Sequence, residues 1–214
     1  MCPNTQQGDL GVVNGVEYLS VDRTRLITER NIGEDLSKVC TSLVTDMRLM
    51  FSETSFNQFI GNWDVSNVRD MDGMFYKSQF NRPIGNWDVS NVRDMSNMFL
   101  ESVFNQPIGD WDLSNLKSMT RMFDKSIFNQ SIGDWNLSNV TDMGGMFQQS
   151  SFNQPIGEWD VSSVTDLRFM FDGSPFNQDI STWCVSNITS EPSNFSTNSP
   201  LTEENKPVWG TCPD

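Results

Sequence analysis

Phe56-Asn-Gln-Phe-Ile-Gly-Asn-Trp-Asp-Val-Ser-Asn-Val-Arg-Asp-Met-Asp-Gly-Met-Phe-Tyr-Lys-Ser-Gln79 is followed at once by Phe80-Asn-Arg-Pro-Ile-Gly-Asn-Trp-Asp-Val-Ser-Asn-Val-Arg-Asp-Met-Ser-Asn-Met-Phe-Leu-Glu-Ser-Val103, the same skeleton written twice. The step is 24 residues, and Phe-Asn returns on it at Phe104, Phe128, Phe152 and Phe176. Tryptophan keeps the same step at Trp63, Trp87, Trp111, Trp135, Trp159 and Trp183, and so do Met74, Met98, Met122, Met146 and Met170, each followed by Phe. A period of about 20–50 residues held in phase marks a solenoid, whose turns bury their apolar faces only against one another. The expected fold is an α/β repeat: a leucine-rich-repeat-like solenoid of about seven turns, with a parallel β-sheet on one face and short helices on the other.

Within one repeat, Ile60, Trp63 and Val65 match the core positions of a leucine-rich repeat. The alternation Asn62, Trp63, Asp64, Val65, Ser66 reads as a short strand with Trp63 and Val65 inward and the polar residues outward. Val68, Met71, Met74 and Phe75 follow at helical spacing, with Asn67 placed as an N-cap and Asp70 three residues on, so a short helix is expected there. The unbroken column Asn57, Asn81, Asn105, Asn129, Asn153 and Asn177 is expected to satisfy backbone at a tight bend.

The ends depart from the pattern. Residues 1–55 read as an N-terminal cap with a degenerate first turn, whose core would be Ile32, Leu36, Val39, Ser42, Val44, Met47, Met50 and Phe51. Gly8, Gly11 and Gly15 among apolar pairs suggest a hairpin over that turn. Residues 56–190 are the solenoid proper, and 191–214 a closing segment that opens on Glu191-Pro192, where a helix cannot form normally.

Composition removes several function classes. The 214 residues carry 14 Lys+Arg against 28 Asp+Glu, a formal charge of −14, which argues against nucleic acid and against an anionic membrane surface. Apolar runs are too short for a membrane-spanning helix, so no membrane insertion is expected. No charged-then-apolar leader opens the chain, so any signal peptide is expected to have been removed or to lie outside this sequence. Histidine is absent, which takes away the commonest general base and metal ligand.

The four cysteines lie outside the best repeats. Cys40 and Cys184 share the position that Asp64 holds elsewhere and stand roughly 29 Å apart if each turn rises about 4.8 Å, too far to bond to each other. The economical pairing is Cys2–Cys40 and Cys184–Cys212, a staple for each cap; four free thiols or a metal site is the alternative, although no Cys-x-x-Cys spacing supports zinc. Two staples imply an oxidising compartment: secreted, periplasmic or cell-surface.

Phe-Asn-Gln-Pro-Ile-Gly-(Asn/Asp)-Trp-Asp-(Val/Leu)-Ser-Asn-Val-x-Asp-Met-x-x-Met-Phe, as it runs through about residues 32–190, resembles the repeats of the BspA-like leucine-rich-repeat surface proteins of bacteria. The small residue after Met-Phe-x-x is Ser here (Ser78, Ser102, Ser126, Ser150, Ser174) where Ala is usual in that family. The resemblance implies an extracellular or cell-surface binding or adhesion module, with a protein or glycan partner on another cell or in a matrix. It transfers no catalytic residue.

Outward columns are where such a module would act. Asp64, Asp88, Asp112, Asn136 and Asp160 form one, and Asn62, Asn86, Asp110, Asp134 and Glu158 its neighbour. Stacked like charges destabilise a sheet unless something compensates, so Asp110, Asp112, Asp134, Glu158 and Asp160 are candidate Ca²⁺ ligands, against the alternative that each Asp accepts hydrogen bonds from backbone or from the neighbouring serines. The pairs Asp110/Asp112 and Glu158/Asp160 could in principle hydrolyse a glycoside, but they are repeat consensus on an open face, so no enzyme is expected. A carbohydrate-binding alternative would need the tryptophans outward, and the alternation points them in. Deviations from the repeat mark the remaining ligand-binding candidates: Phe59, Tyr76 and Leu100, the last two expected to form an exposed apolar spot, together with Asp64 and Asp88.

Overall fold

The computed structural model describes residues 6–13 and 15–213. Among the described residues the strands and the α-helix lie in the N-terminal cap, and a single 3-10 turn, Glu203–Asn205, lies in the closing segment. β1 (Leu10–Val13) and β2 (Val16–Ser20) form the expected antiparallel hairpin, and β2 pairs in parallel with β3 (Val39–Cys40). Between them runs α1 (Arg23–Ile32), started by Asp22, whose side chain accepts from the Arg25 N–H, and stopped by Gly33 at φ 79°. The Arg23 and Arg30 guanidiniums donate to the carbonyls of Arg48 and Met50, tying the helix to the first coil. Ile32 ends the helix 65% exposed, so it is not part of the first coil's core as expected, whereas Leu36, Val39, Val44, Met47, Met50 and Phe51 are buried.

From Thr41 onward the 24-residue repeats stack in register. Parallel bridges run Asp46–Asp70–Asp94–Ser118–Asp142–Asp166, one per coil. On one side of each bridge an amide donates back a coil (Arg93 to the Arg69 carbonyl); on the other, alternate amides donate forward, Met71 to Asp94, Gly73 to Ser96, Phe75 to Met98 and Lys77 to Leu100. The intervening amides of Met74, Tyr76 and Ser78 each donate three residues back and close four-residue β-turns within the coil. Positive φ at Gly73 (60°) and Lys77 (50°), third in their turns, gives those turns type II character.

This arrangement replaces both expected repeat elements. Among the described residues the coils hold no α-helix over Val68–Phe75 and no strand over Asn62–Ser66. A helix satisfies each N–H four residues back, which would leave no donors for the next coil, and the left-handed residues break its dihedrals. The apolar spacing that suggested a helix is met equally by successive tight turns, which bury Met71, Met74 and Phe75. Asn67 is accordingly not a helix cap: its side-chain amide donates to the Ser42 carbonyl of the preceding coil.

The core is a set of aromatic columns. Phe75, Phe99 and Phe123 stack at 5.6 Å between ring centroids, and each lies about as close as 4.1–4.3 Å to a second Phe column, Phe80, Phe104 and Phe128. Each repeat tryptophan donates its indole N–H to a carbonyl of the preceding coil, Trp87 to Ile60 and Trp111 to Ile84 among them. The asparagine column works as a bracket, since the Asn81 Oδ1 accepts from the Asn105 N–H and so on along the stack. Ser78 and its equivalents are buried, their hydroxyls accepting from the amide of the next Phe-Asn, a bond that alanine could not make.

Gly61, Gly85, Gly109, Gly133 and Gly157 are fixed by contact between coils. A Cβ there would sit 2.7–3.0 Å from a carbonyl oxygen of the next coil. In the last coil the position is Ser181, where the closing segment follows and Ile180 donates to Asn205. That segment shifts register: Phe169 and Phe171 donate 24 residues ahead, to Ser193 and Phe195, instead of 23. Phe195 ends the ring column edge-on to Phe171, Trp209 packs edge-on to Phe195, and Cys184 is bonded to Cys212. Cys40 is not free, while the expected partner Cys2 lies outside the described residues.

Candidate functional site

The exposed columns divide into those the chain uses on itself and those it leaves to solvent. Asp64, Asp88, Asp160 and Asn136 each accept at Oδ1 from the backbone N–H and hydroxyl of the serine two residues on, at 2.6–2.8 Å for the hydroxyl. Asp112 accepts from the Ser114 amide, and the Ser114 hydroxyl and amide hold its carboxyl below the usual range. This column therefore closes a local turn.

Asp110, Asp134 and Glu158 make no side-chain hydrogen bond or ion pair among the described residues and are exposed. Asp134 and Glu158 line a shallow 470 Å³ groove with Pro155, Gly157, Asp179 and Thr182. Among the described residues no three carboxylates or thiols gather closely enough to hold a metal ion, so the five candidate Ca²⁺ ligands are not brought together as a set. Asp112 and Asp160 are instead engaged by their own serines, Ser114 and Ser162.

The most crowded carboxylates lie elsewhere, on the bridge column. Asp70 is half-buried, its Oδ1 accepting from the Asp72 amide, and burial followed by the charges of Asp94 and Asp46 pushes its carboxyl up. Arg48 relieves that end, 2.9 Å from Asp46 and 3.7 Å from Asp70. Arg168 does the same for Asp166, holding it low.

Of the apolar candidates, Phe59 is 52% exposed, its ring lying over Gly61. Tyr76 is half-buried with the Lys77 ammonium 5.0 Å from its ring centre. Leu100 is buried at 7% exposure, which corrects the expected apolar spot. In the next coil the equivalent Asp124 is out of solvent altogether, whereas Tyr76, Gln148 and Asp172 at the same position are half-buried. Asp124 accepts from Arg121 at 2.7–2.8 Å through Oδ2 while Oδ1 has no partner, and burial pushes its carboxyl up despite Arg121. The repeat tryptophans are 1–4% exposed, so no sugar can stack on that column.

One exposed column went unread in the sequence. Arg69, Arg93 and Lys117 occupy equivalent positions, and Thr141, Thr165 and Thr189 continue them. The column's charge pattern, three cations in successive repeats, was the available signal.

The family described as "Mycoplasma protein of unknown function, DUF285" matches residues 23–127 and again 102–209, so its two matches run through the whole stack. No curated protein and no solved structure matches the chain.

Proposed function

The chain belongs to the DUF285 family of Mycoplasma proteins of unknown function, and from that premise we propose that it is a noncatalytic recognition module, a solenoid of the BspA-like leucine-rich-repeat kind displayed outside the cell. It binds a protein or glycan on another cell or in a matrix through its outward columns. One observation carries this reading. The interior repeats coil after coil, while the exposed positions change: Asn62, Asn86, Asp110, Asp134, Glu158 along one column and Arg69, Arg93, Lys117, Thr141, Thr165 along another. A rigid frame with a variable surface suits recognition, since stacked repeats offer an extended face on which side chains change while the interior is kept.

Two further features agree with it. The Cys184–Cys212 disulfide suits an oxidising compartment. The carboxylates that a hydrolase would need, Asp112 and Asp160, are tied into turns on open surface. The test is a panel of matrix and cell-surface proteins set beside a glycan array, probed with the full chain. Saturable binding that survives reduction of nonspecific charge by salt supports the module; hydrolysis of an array glycan, or no saturable binding on either panel, contradicts it.

A further inference from the structure

We propose that Arg69, Arg93 and Lys117, with Asn67, Asn91 and Asn115 beside them, form a binding strip for an acidic polysaccharide, a chain bearing sulfate or carboxylate on successive sugars. The inference rests on the recognition reading above and names the partner of one strip.

Three observations converge on it. The cations are exposed, and neither Arg69 nor Arg93 makes a side-chain hydrogen bond or ion pair among the described residues, in a chain of net charge −14. Guanidiniums on two adjacent coils are thus left without a carboxylate partner in a chain with twice as many carboxylates as cations. Among the described residues the Lys117 ammonium reaches the Asn139 carbonyl and side-chain oxygen alone, at 3.3–3.4 Å.

The spacing is fixed by backbone. Arg93 donates to the Arg69 carbonyl and Lys117 to the Arg93 carbonyl, so the side chains leave the stack one bridge spacing apart, about 4.8 Å. A sugar unit in an extended polysaccharide advances by about that much. An acidic peptide laid along the column would place its same-face side chains about 6.6–6.8 Å apart and fall out of step.

The neighbouring column supplies the complementary chemistry. Asn67, Asn91 and Asn115 are exposed, and each spends a side-chain N–H on a carbonyl of the preceding coil, those of Ser42, Ser66 and Ser90. That bond turns the amide and leaves its oxygen available as an acceptor. Buried Val68 lies between Asn67 and Arg69, so both point away from the core. The strip thus offers cations for anionic groups and fixed acceptors for hydroxyls, a pairing that an acidic sugar uses and a purely anionic partner does not. Guanidinium matches sulfate and carboxylate in a two-point fork.

The experiment measures binding of the full chain to heparin at several salt concentrations. Neutral dextran, poly-glutamate and oligo-dT run alongside. The expected result is binding to heparin but not to dextran, with a log–log salt slope of about −2 for three contacts, as estimated from a single-stranded polyanion. Arg69→Ala with Arg93→Ala and Lys117→Ala should weaken it at least tenfold. A control carrying Lys77→Ala, Arg82→Ala and Lys125→Ala removes the same charge elsewhere and should bind within twofold of the parent. Unchanged melting of the strip variant checks that its fold is intact. Equal loss in both triple variants, no heparin binding, or tighter binding of poly-glutamate or oligo-dT overturns the strip. If heparin fails while the protein panel binds, the strip falls and the recognition reading stands; if both panels fail, both fall.

Discussion

The N-terminal cap and the coils behind it satisfy their backbones in opposite ways. In the cap, α1 (Arg23–Ile32) closes its hydrogen bonds within itself, with Asp22 and Gly33 sealing its ends, and the hairpin pairs strand to adjacent strand. In the coils, every second amide from Met71 to Lys77 is given to the next repeat, and the indole and asparagine groups reach into neighbouring coils too. The cap is therefore made of local structure and the stack of neighbour contacts. A coil removed from its neighbours would lose its amide partners and its ring stacking together, which is why the stack should melt as one unit.

Breaking a central ring column gives the largest effect. Phe123 touches the rings of Phe99, Phe128 and Phe147 and is fully buried, so Phe123→Ala should cost about 3–5 kcal/mol in a single transition followed by tryptophan emission. Two separated transitions would show that the coils do not share their stability. Next comes the far end. Replacing Cys184 and Cys212 together by serine reopens a loop spanning 28 residues of separation and should cost about 3.5 kcal/mol, read by urea unfolding.

A change in the opposite direction comes from Asp124, whose place in the preceding coil is held by Leu100. Asp124→Leu should stabilise by about 1–2 kcal/mol at neutral pH, because it removes an incompletely partnered buried carboxylate and leaves behind only an exposed Arg121. The folded-state pKa is raised, so the parent's penalty is absent below the unfolded carboxylate value and sets in as pH rises through the folded one. Melting curves of parent and variant should accordingly converge in acid; a gain that is constant with pH would place its origin in packing instead. Smallest is the relief of a left-handed residue: Gln149 has φ 52° where the following coil has Gly173, and Gln149→Gly should add about 0.5–1 kcal/mol.

The contrast between cap and coils also explains what could be read in the sequence. The columns of Phe, Trp and Met declared the core because burial is enforced in every repeat. The inward Trp63 and Val65 followed from alternation, and the hairpin from its glycines. The turns between Met71 and Ser78 were not legible, since apolar residues three apart serve a helix and a run of tight turns alike. Leu49 and Lys77 hide the left-handed positions that Gly73 and Gly173 mark in their own columns. Leu100 read as exposed because its column elsewhere is polar, and Asp124 shows that polar does not mean solvated there. In the exposed columns Asp64 is conspicuous because it repeats, and it repeats because it closes a turn; Arg69, Arg93 and Lys117 are inconspicuous because their column changes to threonine from Thr141 on.

The central claim, that each coil is held by the next, is tested most directly by native-state hydrogen exchange. The amides of Phe99 and Phe123, which donate to the Met122 and Met146 carbonyls across coils, should be among the slowest in the molecule and exchange only with global unfolding. The amides of α1 should open at lower free energy, although their bonds lie within a regular helix. Fast exchange at Phe99 and Phe123 beneath a protected α1 would contradict the account.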